Sequence, residues 1–535
     1  MYGEQAGHFD RVELVERRDD VGGVWYLDAP PPNTTETHPT ETHTTETHTT
    51  ETHTTETHPT APRWPSPAYP GLIGNVLPEY LSFSAHTPFP TPAGHPEQPF
   101  PTLKETHEYL KGFAEHSERI CLKSKRIRLN TEVVRVEERA DGQGWDVRLR
   151  DWSSTNNGGG AKEITETWDA IVAALGYYDH PVYPDVPGLD AVRAVGLAEH
   201  AKTWRGPEGL EGKRVLVIGN ANSSNDIAAQ LAPVAASPVY RSIRRPALYN
   251  FPSLPDERIR DVPAVREYRV VEGEGGKKVS VTLTDGTVID DIDAVRLGTG
   301  YKPFPDFIHV RSRVSDADSA CTSLTSFSPL TSPSPSSSPS PPTSPPPLTS
   351  LPVPPLTSLM TPPISPHRIP ALHRHILYAP NPTLAFNGSA MSYTPFTIAD
   401  VSGAWLALAW AGEVAYPESV DARLESERER LKGIEAARAE ERARAVATSV
   451  PPTPGSGAPP PISDPTSLIT YNVFGLFEKG YASALRADIV AARPELDRVL
   501  PEWNEEKWKA RDSMYALKYK ALEWAKAQRE AGKAA

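Results

Sequence analysis

The fold predicted by this sequence is α/β, with two dinucleotide-binding (Rossmann-like) units, the second inserted into a discontinuous first. Three observations predict it. Residues 213–231 (KRVLVIGNANSSNDIAAQL) run from an apolar strand through a glycine-led turn into an apolar-periodic helix, the arrangement that cradles a pyrophosphate. Residues 9–15 (FDRVELV) alternate like a strand and end at Glu16, where a carboxylate can accept hydrogen bonds from an adenosine ribose. Two more apolar strands, 170–176 and 294–301, each follow an aspartate (Asp169, Asp293) and end in small residues, as strands returning to a cofactor edge do.

In chain order, residues 1–33 hold the first strand and the turn Asp20-Val-Gly-Gly23-Val24-Trp25. Residues 34–62 repeat Thr-Thr-Glu-Thr-His, with histidines at 38, 43, 48, 53 and 58. Neutral imidazoles bind metals, but almost no apolar residue is present to fix ligand geometry, so disorder is expected and no metal site. Residues 63–193 continue the first unit, with a helix over 104–116 and strands at 132–137 and 144–150. Residues 194–311 form the second unit, ending in hairpin strands around Asp285-Gly286. Residues 312–366 are a Ser/Pro-rich stretch expected to be disordered. Residues 367–417 close the first unit with strands at 376–378 and 383–387 and an apolar helix over 396–411. Residues 418–535 are helical: 418–447 reads as a solvated charged helix, 449–466 as a Pro-rich linker, and 471–535 carries Trp503, Trp508 and Trp524 for docking.

At 535 residues with a formal charge of −13, the chain offers no basic surface for nucleic acid or anionic membrane. Cys121 and Cys321 cannot make a disulfide framework, and no apolar run approaches the ~20 residues of a spanning helix. A cytoplasmic protein is expected. Ala221 and Ser224 stand where the second and third glycines of the fingerprint usually lie, which costs closeness to phosphate and of helix to strand. The next strand ends about 23 residues after Gly219 at Ser242 and Arg244 with no acidic residue, which suits a 2′-phosphate and favours NADP over NAD.

Beyond these single motifs, the chain resembles the flavin-containing monooxygenases, a class that includes N- and S-oxygenating and some Baeyer–Villiger enzymes. The resemblance is carried by residues 16–25 (ERRDDVGGVW), 69–75 (YPGLIGN), 196–204 (GLAEHAKTW), the Gly219 turn, 298–301 (GTGY) and 382–388 (PTLAFNG). The 196–204 stretch is similar to the signature F-x-G-x-x-x-H-x-x-x-[YF], with Ala194 at its first aromatic position and Trp204 at its last. Likeness covers 9–30, 63–310 and 367–417, and is weaker through 471–525, where it is to fungal members.

The resemblance implies an FAD site formed by Glu16, Gly23, Val24, Trp25, Asn75, Val76, Val133, Gly176 and Gly388. It implies an NADP(H) site formed by Gly219, Ala221, Ser223, Ser224, Asp226, Ser242 and Arg244. Asn75 is the implied catalytic residue, its amide beside the isoalloxazine; Asp400 and Ser402 stand where the family has an acidic residue and a Gln. The implied reaction is oxidation of NADPH by FAD, addition of O2 at flavin C4a, and transfer of one oxygen from the hydroperoxide to an amine or thioether, as in N,N-dimethylaniline oxygenation.

Two alternatives stay open. A ketone oxygenase would use the same motifs. A catalytically impaired homologue is the other, because only fifteen residues precede Glu16 and they hold no G-x-G-x-x-G. That second reading expects weak FAD affinity and an exposed sheet edge that favours self-association. A disulfide reductase is excluded by the lack of a Cys-x-x-Cys pair.

Overall fold

The computed structural model describes residues 8–27, 63–84, 86–120, 127–153, 160–244, 253–311, 354–448, 466 and 469–534. The TTETH repeat, most of the Ser/Pro-rich stretch and nearly all of the 449–466 linker lie outside the described residues. The helices are α1 (Leu103–Ile120), α2 (Leu189–Ala194), α3 (Asn222–Leu231), α4 (Pro395–Trp410), α5 (Val420–Thr448), α6 (Glu478–Ala492) and α7 (Glu505–Ala534).

The second unit is built on a five-stranded parallel sheet. Its order is Ile259–Val262, Val239–Ser242, Val215–Ile218, Ala294–Leu297, Ala198–His200. Val215, Leu216 and Val217 are all fully buried, because the central strand of a parallel sheet is covered on both faces. The expected hairpin forms as an antiparallel sheet of Val265–Gly273, Gly276–Leu283 and Val288–Ile292.

The first unit is assembled from distant pieces. Leu14–Val15 pairs in parallel with Ile127–Arg128, and Ile171–Ala173 pairs in parallel with Leu384–Phe386. Of the strand expected over 9–15, Leu14 and Val15 form a ladder with described residues. A five-stranded sheet (Leu356–Ser358, Ile308–Arg311, Thr131–Glu138, Trp145–Asp151, Lys162–Trp168) packs Trp145 and Leu149 into the same core as Leu384 and Phe386.

That sheet corrects one sequence expectation. Residues 354–366 were expected to belong to the disordered stretch, yet Leu356–Ser358 pairs with Ile308–Arg311, and Leu359 and Met360 are buried. Two buried apolar side chains, Leu359 and Met360, at the end of a Ser/Pro-rich run suffice to join a core that other segments have already formed.

Each helix start has a local cause. Thr102 and Glu105 form a capping box on α1: the Glu105 amide donates to Thr102 Oγ1 at 3.2 Å and the Thr102 amide to Glu105 Oε2 at 2.8 Å. Pro395 opens α4, whose apolar body packs with α6 around Trp405, Leu408, Leu485 and Ile489. Helix α5 is more than a solvated face. It buries Ile434, and its Glu427 carboxylate accepts from Arg368 Nε at 2.6 Å and from the Ala371 amide at 3.0 Å. Long polar side chains bound to backbone make that docking face, so the sequence shows little apolar period there.

Candidate functional site: two dinucleotide edges

At the second unit, the Val215–Ile218 strand turns at Gly219, where φ is +120° and a Cβ would lie 2.5 Å from the Gly298 carbonyl oxygen. Only glycine fits there. The fingerprint's third glycine, replaced by Ser224, is compensated from across the sheet. A Cβ on Gly298 would meet Ser224 Cβ at 2.7 Å, so Gly298 supplies the closeness that Ser224 takes away. The Ser224 hydroxyl, expected to reach a phosphate, accepts from the Ala221 amide and donates to the Ala221 carbonyl, both at 2.9 Å. It caps α3 from within. Ser223 sits beside it, half-buried in the first turn of α3.

The first-turn amides of α3 point out of the helix end, the arrangement that binds anions. Beside them, the buried Nδ2 of Asn225 has no partner, while its Oδ1 accepts from Arg241 at 2.8 Å. Ser242 is buried and its hydroxyl donates to the Pro263 carbonyl at 3.0 Å; Arg244 is exposed at the strand end. Arg241, which sequence reasoning passed over, is buried and bidentate to Asp261 at 2.7 and 2.8 Å. Its alternation within the strand was the available signal.

Asp226 lies further along α3, hydrogen-bonded to the hydroxyl of Tyr69 from the first unit. Burial raises the carboxyl of Asp226, opposed by that hydrogen bond. Tyr69 itself is buried and pushed up strongly, first by desolvation and then by the Asp226 charge.

At the first unit, Glu16 follows its strand as expected. Its Oε1 accepts from the Arg18 amide at 2.9 Å, which leaves the other oxygen free to meet a ribose. The Gly23–Val24–Trp25 turn is a 3-10 helix entered through left-handed Gly22 (φ +109°). Arg18, unnoticed in the sequence, holds this turn: its guanidinium donates to the Gly23 carbonyl at 2.6 Å and the Tyr26 carbonyl at 2.8 Å. Trp25 meets Phe396 edge-on at 6.5 Å, and the same apolar cluster takes in Val76, next to Asn75.

The turn and the Asn75 segment are thus brought together. Val133 packs instead on the core shared with Val15, and Gly176 is exposed at the end of its strand. Gly388 lines a small cavity of about 10 Å³ with Asn387, His375, Ser402 and Tyr481. Buried Asn387 Oδ1 and His375 Nε2 have no partner there, so the cavity wall offers polar atoms to a single water. Ser402 Oγ faces Tyr481 at 3.3 Å, and Asp400 accepts from the Ser84 amide at 2.8 Å.

The two units are joined by polar contacts that the sequence did not reveal. Asp179 takes Arg17, next to Glu16, at 3.1 Å and Lys202 of the second unit at 3.1 Å. These partners outweigh desolvation and hold its carboxyl down at about 2. His200 Nδ1 accepts from the Lys202 amide at 3.1 Å, which leaves Nε2 to donate to the Gly300 carbonyl at 3.1 Å. Desolvation lowers His200 to about 4, so the ring is neutral. Tyr178, following Gly176, stands edge-on to Tyr301 at 5.3 Å. Both halves of a dinucleotide pair therefore meet at Asp179 and His200.

Two of the edge strands among the described residues expose an apolar side chain beside the first unit's nucleotide edge. Leu14–Val15 ends its two-stranded sheet and Ile171–Ala173 ends its four-stranded one, with Leu14 51% and Val172 44% exposed. No described helix is long and apolar enough to cross a membrane.

Comparison with known proteins agrees with this architecture. Residues 66–247 match the model of the flavin-binding monooxygenase-like family. The chain is similar to flavin-containing monooxygenase FMO GS-OX-like 9 of Arabidopsis thaliana, 30% identical over 234 residues, which cover 43% of this chain and 45% of that protein. It is 29% identical over 204 residues to the thiol-specific monooxygenase of Saccharomyces cerevisiae, covering 38% and 42%. It is 33% identical over 183 residues to the N-oxide-forming dimethylaniline monooxygenase 2 of Oryctolagus cuniculus, covering 33% and 30%. The matched part spans less than half the length of these relatives.

Among solved structures, S-allyl-L-cysteine S-oxygenase from Allium sativum shares the fold (TM-score 0.55, 18% identity, 95% of this chain and 94% of that one). So does Tmm from Pelagibacter sp. strain HTCC7211 (TM-score 0.55, 17% identity, 91% and 81%). The paired dinucleotide edges define a fold of two nucleotide-binding units, shared with these two structures. Within that fold, residues 66–247 are similar to the flavin-binding monooxygenase-like family.

Proposed function

We propose that the protein is an NADPH- and O2-dependent flavin monooxygenase that transfers one oxygen atom to a soft nucleophile, a tertiary amine or a thioether. The observation that carries this reading is the junction of the two nucleotide edges through Arg17–Asp179–Lys202, beside an Asn75 segment packed with Trp25. The relatives matched along residues 66–247 are named for thiol and for dimethylaniline N-oxide chemistry.

Bound FAD supplies the oxygen-transfer chemistry and bound NADPH the reducing equivalents. The residues present fit NADPH and the ribose side of FAD. The carboxylate of Glu16 accepts from ribose hydroxyls, and the α3 amides with Asn225 Nδ2 hold pyrophosphate. Arg244 is exposed at the strand end where a 2′-phosphate would lie, and the Ser242 hydroxyl is used on Pro263. Asn75 orients a reacting partner through its amide and carries no proton of its own to give up. The cluster of Trp25, Val76, Phe83, Leu81 and Phe396 keeps water away from that amide. A cytoplasmic setting accords with this use of NADPH and O2.

Purified protein with about one flavin per chain, oxidising NADPH and converting a thioether to its sulfoxide, would support the reading. Ester from a ketone would instead indicate the ketone oxygenase, and inert flavin-free protein would remove the enzyme reading. A second reading, a folded chain with weak flavin affinity, is favoured by the exposed apolar edges at Leu14 and Val172. The flavin-to-chain ratio after dialysis separates the two.

A further inference from the structure

Helix α7 crosses the segment that carries Asn75. Lys518 donates to the Gly74 carbonyl at 2.7 Å, lies 3.5 Å from the Ile73 carbonyl, and sits 4.9 Å over the Phe100 ring. One turn earlier on the same helix face, Met514 Sδ accepts from the Leu77 amide at 3.4 Å. One helix therefore grips the backbone on both sides of Asn75. From the other side, the Gly74 amide donates to the Pro101 carbonyl at 2.8 Å, and Ile73 bridges Thr102. The Asn75 side chain has no described partner of its own, so this backbone clamp is what fixes it. The charge on Lys518 faces Asp226, the carboxyl that Tyr69 holds on α3.

We propose that Lys518 and Met514 are positioning residues for Asn75, with α7 holding the 73–77 segment at the junction of the two dinucleotide units. Lys518 acts through the Gly74 carbonyl. The inference rests on the monooxygenase reading only in what Asn75 is positioned for. The clamp itself is a property of the fold.

The test uses the full chain and three variants: Lys518→Met, Lys518→Arg and Met514→Ala. Amide hydrogen exchange is followed on peptides covering 72–80, with 104–116 of α1 as the internal reference. Lys518→Met is expected to speed exchange in 72–80 by about tenfold, leaving α1 unchanged; Met514→Ala is expected to do so by a few-fold, and Lys518→Arg to restore protection. In turnover, Lys518→Met is expected to raise the share of NADPH electrons released as hydrogen peroxide about fivefold, with KM for NADPH moved less than about twofold. Unchanged exchange in 72–80, or faster exchange spread through α1, overturns the clamp. Faster exchange with unchanged peroxide release overturns the positioning of Asn75. If the wild-type chain neither retains flavin nor oxidises NADPH, the monooxygenase reading fails, and the exchange comparison still decides whether α7 holds the segment.

Discussion

Gly298→Ala tests the replacement of a missing glycine by one from another strand. The new Cβ would sit 2.7 Å from Ser224 Cβ and 3.0 Å from Ser224 N and Cα. Carbon atoms in contact prefer about 3.5–4.0 Å, so the first turn of α3 must move by about 1 Å. Overpacking of that size costs about 1–3 kcal/mol. Ser224→Gly removes the worst contact but also the hydroxyl that accepts from the Ala221 amide, a cap worth about 1 kcal/mol, and adds a glycine penalty of about 1 kcal/mol.

Each single change should therefore destabilise, and the double variant should be more stable than their sum by about 1 kcal/mol. Urea denaturation of the four proteins measures this coupling. NADP⁺ binding provides a second readout, because a shift of about 1 Å in the α3 amides should weaken it by about tenfold or more in Gly298→Ala. Additivity within about 0.3 kcal/mol, or full NADP⁺ affinity in Gly298→Ala, would refute the compensation.

Other consequences follow from the junction and the edges. His200 is held neutral down to about 4 against an ordinary value of 6.5, so the unfolded chain binds more protons between those values. Stability from this site is complete above pH 6.5 and falls as pH drops toward 4. His373 and His375 are lowered by the same desolvation, to about 4 and about 3, and His86 and His180 are lowered too, so His200→Gln should flatten the acid slope of the melting temperature without abolishing it. Asp179→Asn should weaken the Arg17 and Lys202 contacts; with 38% of that side chain exposed, the loss should stay under about 1 kcal/mol and shrink at high salt. Its depressed carboxyl contributes stability above pH 3.8 that is lost as pH falls through about 2, and the acid limb of a pH melt of the Asn variant should lack that step. Tyr69→Phe leaves Asp226 without its donor and should cost about 1–3 kcal/mol, read by thermal melting; an unchanged melting temperature would show that solvent replaces the hydroxyl. Val172→Lys and Leu14→Lys should reduce concentration-dependent association in light scattering, since a charged edge resists strand pairing.

The amino-acid pattern by itself determined the local units: the strand–glycine–helix run at Gly219, the strand that ends at Glu16, the hairpin at Asp285-Gly286 and the apolar α4. These follow from periodicity and from glycine at a turn that admits nothing else, properties that a short window contains. It also carried the resemblance to the flavin-containing monooxygenases, because several such windows occur in a fixed order, and residues 66–247 match the flavin-binding monooxygenase-like family model.

Tertiary structure decided what crosses between windows. Gly298 is an ordinary strand-end glycine until α3 is laid against it, and Arg18 is one of two adjacent arginines until its guanidinium closes the Gly23 turn. Asp179 is held down by Arg17 from far away in the chain and by Lys202, and His200 is kept neutral by its burial in the folded chain. Lys518 reaches Gly74 across more than four hundred residues. Leu356–Ser358 and the buried face of α5 were misread for the same reason: a core formed elsewhere recruits segments whose own composition does not announce it. Hydrogen bonds and close packing depend on distance in space, and sequence spacing records that distance only inside a single helix, strand or turn.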